Sequence, residues 1–336
     1  MKMDEERGRE KWKAPRQLSS PGNAGYAVFM AFWSHHDDIL MAVVDLLTHS
    51  GGEMKMFLKN KRTAWRVLLL VTGMAGVAPV HAERMNDNRL IWTAAAGGDV
   101  RWFDWREHQD DKQLLMETGP LAALAGQLQL QYGPVFTRLD GQAGGGLARY
   151  DGHLQSGPAY QADAWENIMD GEWRVGWQAA RASVHAGFMQ RDWRRYIEGN
   201  VGVSSAEERY RWRLLTLGGE YQMGFPLQWQ MAVAVNVGGP IGSYQKVYAT
   251  YYDSFSLRPG GGAYWRIALP LQGRGDHANF SIEPYYQQQT VQRSNSVALT
   301  HDGVPQSLLA YQPASIRREV GVTALWRFAG SAKTTP

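Results

Sequence analysis

The sequence predicts an antiparallel transmembrane β-barrel of about ten strands, within a range of about eight to twelve. Three observations carry this expectation: one strictly alternating run of residues, an export leader, and a series of similar strands joined by alternately short and long connections. The run is Leu227 to Val237. Leu227, Trp229, Met231, Val233, Val235 and Val237 are apolar, while Gln228, Gln230, Ala232, Ala234 and Asn236 are small or amide-bearing. That period of two is a strand with unlike faces, and its length matches what a tilted strand needs to cross a bilayer. A soluble sandwich with one wet face shows the same alternation, so the leader, the strand series and the charge distribution have to decide.

Composition excludes several classes. The 336 residues contain no cysteine, which removes disulfide scaffolds and thiolate metal sites. The 14 Trp and 15 Tyr outnumber the 10 Phe, a bias that fits amphipathic rings at two water-lipid boundaries. Mean hydropathy is −0.40, too low for a bundle of apolar helices, whereas a barrel is free to be polar at every second residue. The formal charge of +3 is concentrated at the front: residues 1–82 hold 11 of the 35 Lys and Arg but only 8 of the 32 Asp and Glu. The remainder is formally neutral and lacks the basic footprint of a nucleic-acid binder.

From Met54 the chain reads as a secretory signal peptide. Five basic residues (Lys55, Lys59, Lys61, Arg62 and Arg66) precede a mostly apolar run, Val67 to Val80, and then Val80-His81-Ala82. The run is too short to span as a helix, and the small residues fit cleavage after Ala82. Translation is expected to start at Met54 or Met56, leaving residues 1–53 as a non-native upstream extension, disordered or forming a short helix. His35-His36-Asp37-Asp38 falls in that extension and is not taken as a metal site. The expected organisation is an extension (1–53), a signal peptide (54–82), a lead-in (83–97), the barrel (98–328) and a tail (329–336), with the mature protein in the outer membrane of a Gram-negative bacterium.

Ten strands follow in order. Val100 to Glu107 carries Trp102, Phe103 and Trp105. A second ends in Gly126 to Tyr132, where Leu128, Leu130 and Tyr132 alternate with Gln127, Gln129 and Gln131. The tight Gly133-Pro134 leads into Val135 to Ala143, and a loop is expected over Tyr150 to Ala162. The fourth strand, Trp165 to Gln178, sets Trp173, Val175 and Trp177 against Glu172, Arg174 and Gln178. The fifth, Ala182 to Tyr196, sets Ala182, Val184, Ala186 and Phe188 against Ser183, His185, Gly187 and Arg191. The sixth, Arg209 to Met223, shows a slip of apolar parity at Leu214-Leu215 that predicts a bulge. The alternating run is seventh, followed by a long loop, Gly238 to Ser254. Ala263 to Leu271 is eighth, Asn279 to Gln288 ninth, and a second long loop reaches Pro313. The last strand, Arg317 to Phe328, sets Val320, Val322, Ala324, Trp326 and Phe328 against Glu319, Gly321, Thr323 and Arg327.

The two parities assign two environments. Trp173, Trp177, Trp229, Val233, Trp265, Ile267, Phe280, Trp326 and Phe328 are expected to face lipid. Arg138, Asp140, Glu172, Arg174, His185, Arg191, Glu283, Glu319 and Arg327 are expected to form a polar network filling the lumen, both signs being present so that they pair.

Several motifs in fixed order carry a resemblance: Tyr150-Asp151-Gly152 with Gln155-Ser156-Gly157, Arg191-Asp192-Trp193-Arg194-Arg195, Glu208-Arg209-Tyr210-Arg211-Trp212, Ile282-Glu283-Pro284-Tyr285-Tyr286, and Tyr311-Gln312-Pro313 ahead of Arg318-Glu319-Val320-Gly321. Across nearly all of residues 98–328 the chain resembles a family of uncharacterised proteobacterial outer-membrane β-barrel proteins of the porin-like, opacity type. The last strand, with Trp326 and Phe328 outward, is similar to the C-terminal signal read by the barrel-assembly machinery, although eight residues follow Phe328. The resemblance implies a fold, a compartment and contact with outer-membrane lipid, and no catalytic residues.

The expected role is structural or interactive, through the loops Tyr150 to Ala162 and Gly238 to Ser254 and toward a surface ligand that the sequence does not name. A small channel is the alternative, since ten strands leave a narrow lumen and open aqueous pores need 16 to 18. A surface hydrolase is the second. An omptin-like protease would draw on Asp110-Asp111 and His301-Asp302, and a lipid deacylase on Ser183 with His185. Gly144-Gly145-Gly146 and Gly260-Gly261-Gly262 are not phosphate loops, because no helix or Lys-Ser/Thr follows. No metal-ligand spacing stands out and no cofactor is expected.

Overall fold

The computed structural model describes residues 89–110, 112–153, 159–199, 204–223, 229–273 and 279–333. The leader, its cleavage point, the upstream extension with His35 to Asp38, and residues 83–88 of the lead-in lie outside the described residues.

Fourteen strands occur in chain order: β1 (Arg89–Gln109), β2 (Lys112–Tyr132), β3 (Val135–His153), β4 (Ala159–Ala179), β5 (Ala182–Ile197), β6 (Ala206–Met223), β7 (Trp229–Ala249), β8 (Phe255–Leu257), β9 (Tyr264–Ala268), β10 (Leu271–Gly273), β11 (Phe280–Val291), β12 (Val297–His301), β13 (Val304–Ala310) and β14 (Ala314–Lys333). Each of β1 to β7 pairs antiparallel with the next, β14 pairs with both β1 and β11, and β9 and β10 both bridge β7 to β11. The sheet therefore closes. β8, β9 and β10 are pieces of one descending stave, so the barrel has ten staves, as the sequence predicts, and β12–β13 is a separate hairpin above it. Pro259 and Pro270 interrupt the broken stave because they cannot donate to a ladder.

Four staves, β1, β2, β4 and β7, are 21 residues long. At the usual rise and tilt, such a stave reaches about 50 Å along the axis, well beyond a bilayer's apolar thickness. The excess explains where the strands outrun the sequence reading. β3 continues to His153 and β4 begins at Ala159, so most of the loop expected over Tyr150 to Ala162 is strand. β7 runs to Ala249, through most of the loop expected over Gly238 to Ser254. β1 begins at Arg89 and β14 ends at Lys333, so both reach past the bounds 98–328.

Two kinds of exterior are stacked along the axis. Lower down, apolar residues point outward: Leu124, Leu128 and Leu130 on β2, Trp173, Val175 and Trp177 on β4, Val320, Val322, Trp326 and Phe328 on β14. Above Trp102, Met169, Phe188, Leu215 and Val320 most outward positions become charged or polar (Asp104 and Arg106, Asn167, Asp192 and Arg194, Arg209, Arg211 and Arg213, Arg318), Trp165 with its neighbour Leu147 being an apolar exception, and most apolar residues of the same strands turn inward. On β6 the exchange happens in one step: Tyr210, Trp212 and Leu214 are buried inside, whereas Leu215 and Leu217 are exposed outside.

That exchange accounts for the parity slip read as a bulge on the sixth strand. Alternation along β6 is unbroken. The register does shift at Arg213/Leu214, but the extra residue is Ile241 on the partner strand β7, and it moves Gln245 and Val247 to the inside. The turn at Gly133-Pro134 places Gly133 at φ 56, a left-handed conformation that glycine adopts without strain.

Candidate functional site

The lumen is the place where chemistry-bearing side chains converge, and it is organised in three levels. The lowest is a polar cavity of about 230 Å³ lined by Arg138, Arg174, His185, Glu220, Arg266 and Arg327 among others. Arg138 Nε donates to Asp140 Oδ1 at 2.8 Å, and Arg266 Nη2 to Glu283 Oε1 at 2.7 Å. Arg174 pairs with Glu172, whose Oε1 also accepts from Thr216 Oγ1 at 2.7 Å and Asn236 Nδ2 at 3.0 Å. Two members of the expected network stand apart from this pairing. Among the described residues Arg327 has no carboxylate within 4.0 Å, and its Nε and His185 Nε2 are buried without a hydrogen-bond partner. The expectation that the lumen charges pair fails at Arg327 because Glu220 and Glu283 face it only across the cavity. No hydrogen bond joins Ser183 to His185, so the pair lacks the geometry of a nucleophile and its base.

Above the cavity a chain of hydrogen-bonded side chains forms a partial ring across the lumen. Arg101 donates to Asp99 Oδ1 (2.6 Å), Glu319 Oε2 (3.0 Å) and Gln142 Oε1 (2.8 Å). Gln142 passes the chain to Asp170 (2.8 Å), which receives Arg191 Nε at 2.9 Å, and Arg191 reaches Gln289 Oε1 at 3.1 Å. Arg317 Nε donates to Glu319 Oε1 at 2.6 Å, while Tyr285 and Thr323 both donate to Asp99 Oδ2. Staves β1, β3, β4, β5, β11 and β14 are cross-linked in this layer. Ion pairs so enclosed are costly to break singly.

The top level is apolar. Phe103, Trp105, Trp193, Tyr210 and Trp212 fill the lumen above the ring. Trp193 stacks on Tyr210 at 4.6 Å and Tyr210 on Trp212 at 5.1 Å, with Trp105 edge-on to Trp193 at 4.8 Å. Embedded among them, Arg195 is clamped by Glu117 (2.7 Å), Glu208 (2.9 Å) and Glu107 (3.2 Å). Burial raises the carboxyl pKa values of Glu107 and Glu117, the facing Arg195 only partly offsetting it. Glu166, which accepts from Trp193 Nε1, is held well above the usual carboxylate range by burial and by nearby Glu117.

Of the nine lumen residues named from sequence, Arg138, Asp140, Glu172, Arg174 and Glu283 meet in the lower level with His185 and Arg327, while Arg191 and Glu319 belong to the ring. Sequence reasoning missed Asp99, Arg101, Asp170 and Arg317 in the ring, Arg266 below it, and Glu107, Glu117, Glu166, Arg195 and Glu208 above. Asp99 and Arg101 share a parity with Phe103 and Trp105, and this was the signal: charge and aromatics on one face mean an interior that changes character along the axis. The outward set occupies the opposite face. Trp173, Trp177, Trp326 and Phe328 are exposed, and Trp229, Val233, Trp265, Ile267 and Phe280 are partly exposed on the same parity.

Three of the four residues named for protease chemistry lie among the described residues. His301 lies at the end of β12 with Nδ1 2.7 Å from the Tyr251 carbonyl oxygen and Nε2 3.7 Å from Asp302. Asp110 sits in the β1–β2 turn at φ 49, and Asp111 lies outside the described residues. Among the described residues no three His, Asp or Glu side chains gather as metal ligands.

No known family model matches this chain, and neither does any curated protein. Solved structures with a similar fold include the outer membrane protease OmpT of Escherichia coli (11% identity, TM-score 0.47, covering 74% of this chain and 98% of that one). Ail, the attachment invasion locus protein of Yersinia pestis, is similar at 13% identity and TM-score 0.29 over 70% of this chain and 99% of its own. Outer membrane protein AlkL is similar at 11% identity and TM-score 0.31 over 77% and 98%. These likenesses are of fold alone.

Proposed function

We propose that the chain is a sealed outer-membrane barrel of a Gram-negative bacterium, delivered by the leader at residues 54–82 and inserted by the barrel-assembly machinery, with a structural or surface-interaction role. The observation that carries the sealed reading is the stacking of two layers of side chains in one lumen: the partial ring around Arg101, Asp170 and Glu319, and the aromatic layer around Trp193. The apolar lower exterior supports the membrane, because open water facing Leu124, Trp173 and Val320 would leave a contiguous apolar band uncovered. The resemblance to proteobacterial outer-membrane barrel proteins fits the same proposal.

The interaction surface is a rigid rim rather than long loops. β12 and β13 form a hairpin that presents Val304, Leu308 and Leu309 outward. It is fastened by Asp253, which accepts from the Gly303 amide at 2.9 Å, and by Tyr251, whose ring stacks on His301 at 4.5 Å.

A small channel is the second reading, favoured by the lower cavity and an adjoining space of about 150 Å³ that shares Arg138, Glu220 and Arg327. Both lie beneath the ring, so they form a blind vestibule. Planar-bilayer recording separates the two: the sealed barrel gives a silent membrane, and stable conductance steps from the unmodified protein would overturn it.

A further inference from the structure

Directly above the apolar exterior, the outward faces of β5, β6 and β7 carry Arg194, Arg209, Arg211, Arg213 and Lys246 against only two carboxylates, Asp192 and Glu207. Glu207 is shared by Arg194 (2.7 Å) and Arg209 (2.6 Å), and Asp192 takes Arg211 (2.6 Å), while Arg213 and Lys246 have no carboxylate of a described residue within 4.0 Å. The guanidinium side chains of Arg194, Arg209 and Arg211 remain about half exposed.

The register makes this strip unusual. Arg194 lies directly opposite Arg209, and Arg209 directly opposite Lys246, so three like charges form a ladder across adjacent strands. Such a ladder destabilises a sheet unless an anion lies against it. Elsewhere at this height charges alternate in sign, as in Asp104 beside Arg106 on β1 and Arg149 beside Asp151 on β3.

The ladder borders a hollow of about 990 Å³ lined by Gly145, Trp165 and Met169, with the Asn167 position between Gly145 and Arg194 in the same row. A Cβ at Gly145 would lie 2.0 Å from the Glu166 carbonyl oxygen, and Trp165 and Met169 wall the hollow. Cations beside a largely apolar hollow, in the same cross-strand row as Gly145, match one kind of molecule: an amphiphile with a phosphorylated head and a hydrocarbon chain.

We propose that this face seats a phosphorylated lipid of the surrounding outer leaflet, its phosphate on Arg194, Arg209 and Lys246 and one acyl chain in the hollow at Gly145. The inference rests on the membrane reading above. Charge-assisted bonds to phosphate are strongest from guanidinium groups, and each cation near an anionic lipid surface strengthens retention roughly fivefold.

The test uses the full mature chain in phosphatidylcholine nanodiscs with and without phosphatidic acid, read by native mass spectrometry for lipid retained on release. Wild-type protein is expected to retain phosphatidic acid in preference to phosphatidylcholine. The combined Arg194→Gln, Arg209→Gln and Lys246→Gln variant is expected to lose that preference, while Arg106→Gln with Arg318→Gln keeps it. Because the triple variant also breaks both ion pairs of Glu207, the single variant Lys246→Gln, which breaks no ion pair of a described residue, is measured beside it and is expected to weaken the preference roughly fivefold; an unchanged preference in Lys246→Gln overturns the proposal. Quenching of the protein's tryptophans by brominated lipid reports insertion separately. Insertion without preferential retention overturns the lipid site and leaves the membrane reading standing. Displacement of the retained lipid by inorganic phosphate alone also overturns it, since the site would then read the anion without the chain.

Discussion

Trp102 and Phe103 are consecutive on β1 and belong to opposite sides of the wall: Trp102 is 54% exposed on the exterior and Phe103 is fully buried in the lumen. Below this point apolar residues are outside and the polar network inside; above it most outward residues are polar or charged and an aromatic core is inside. If lipid covers the lower face, Leu124, which is 79% exposed on β2, lies within the band. Leu124→Arg is expected to cost about 2–4 kcal/mol in a bilayer, as charges on lipid-facing positions do near the midplane. The outward Arg149 on β3, above the band, is expected to tolerate exchange to Leu within about 0.5 kcal/mol. Urea unfolding in lipid vesicles checks both, and equal costs at the two positions would contradict a lipid-covered band.

The aromatic layer makes a second expectation quantitative. Trp193 touches Phe103, Trp105, Tyr210 and Trp212 and carries the guanidinium of Arg195 at 5.3 Å over its ring. Trp193→Ala is expected to destabilise by about 3–5 kcal/mol, the range for a buried large aromatic. It removes apolar filling and the face over which Arg317 lies at 5.6 Å, but none of the hydrogen bonds of Arg101, Asp170 and Glu319, so bilayer recordings of this variant are expected to stay silent. The variant that also carries Arg101→Ala is expected to conduct. Conductance from Trp193→Ala alone would show that the ring does not close the lumen.

The number of staves and their order were legible because the lower half of every strand obeys one rule, apolar out and polar in, as in Val320 against Glu319 and Trp173 against Glu172. The upper half was not, because there the rule inverts and a parity argument continued upward misassigns faces. Arg195 shows why. Flanked by Arg194 and Tyr196, it reads as one more charge in a basic run, yet it is buried between Glu208, its register partner on the next strand, and Glu107 and Glu117 from strands far away in sequence. Such long-range partners leave no local trace. The hairpin above the barrel did leave one: Asp302 at φ 52 and Gly303 at φ 76 are the paired left-handed residues of an Asp-Gly turn. That dipeptide sits within the stretch read from sequence as a long loop.

Glu166 gives a pH dependence whose sign is fixed by its environment. Its carboxyl is raised by burial and by Glu117, so the folded state holds the proton more tightly than the unfolded chain does. Stability from this group is then fully present below the unfolded value of about 4.3 and is lost as pH rises through the raised folded value. Glu166→Gln keeps an acceptor for Trp193 Nε1 and cannot ionise. Relative to wild type, the variant is expected to melt progressively higher as pH rises above the ordinary carboxylate range, the two converging at acid pH. Parallel melting curves across that range would remove Glu166 as the source.

Asp253 works in the opposite direction and at the surface. Hydrogen bonds from the Thr300 side chain and then the Gly303 amide lower its carboxyl pKa, which ties the tip of the β12–β13 hairpin to the segment after β7. A depressed carboxylate contributes its stabilisation above the unfolded value, about 3.9, and loses it as pH falls through the lower folded value. The hairpin is therefore expected to loosen locally in that acid window, before the staves do, because β12 and β13 pair only with each other. Amide exchange at Gly303, corrected for the intrinsic pH dependence, is expected to accelerate there in wild type. In Asp253→Asn the same exchange is expected to be faster at neutral pH and to lose this acid step. An acid step of equal size in the variant would place the titrating group elsewhere. If the hairpin is the platform for a partner, loss of the step would also make binding through Leu308 and Leu309 insensitive to pH in that window.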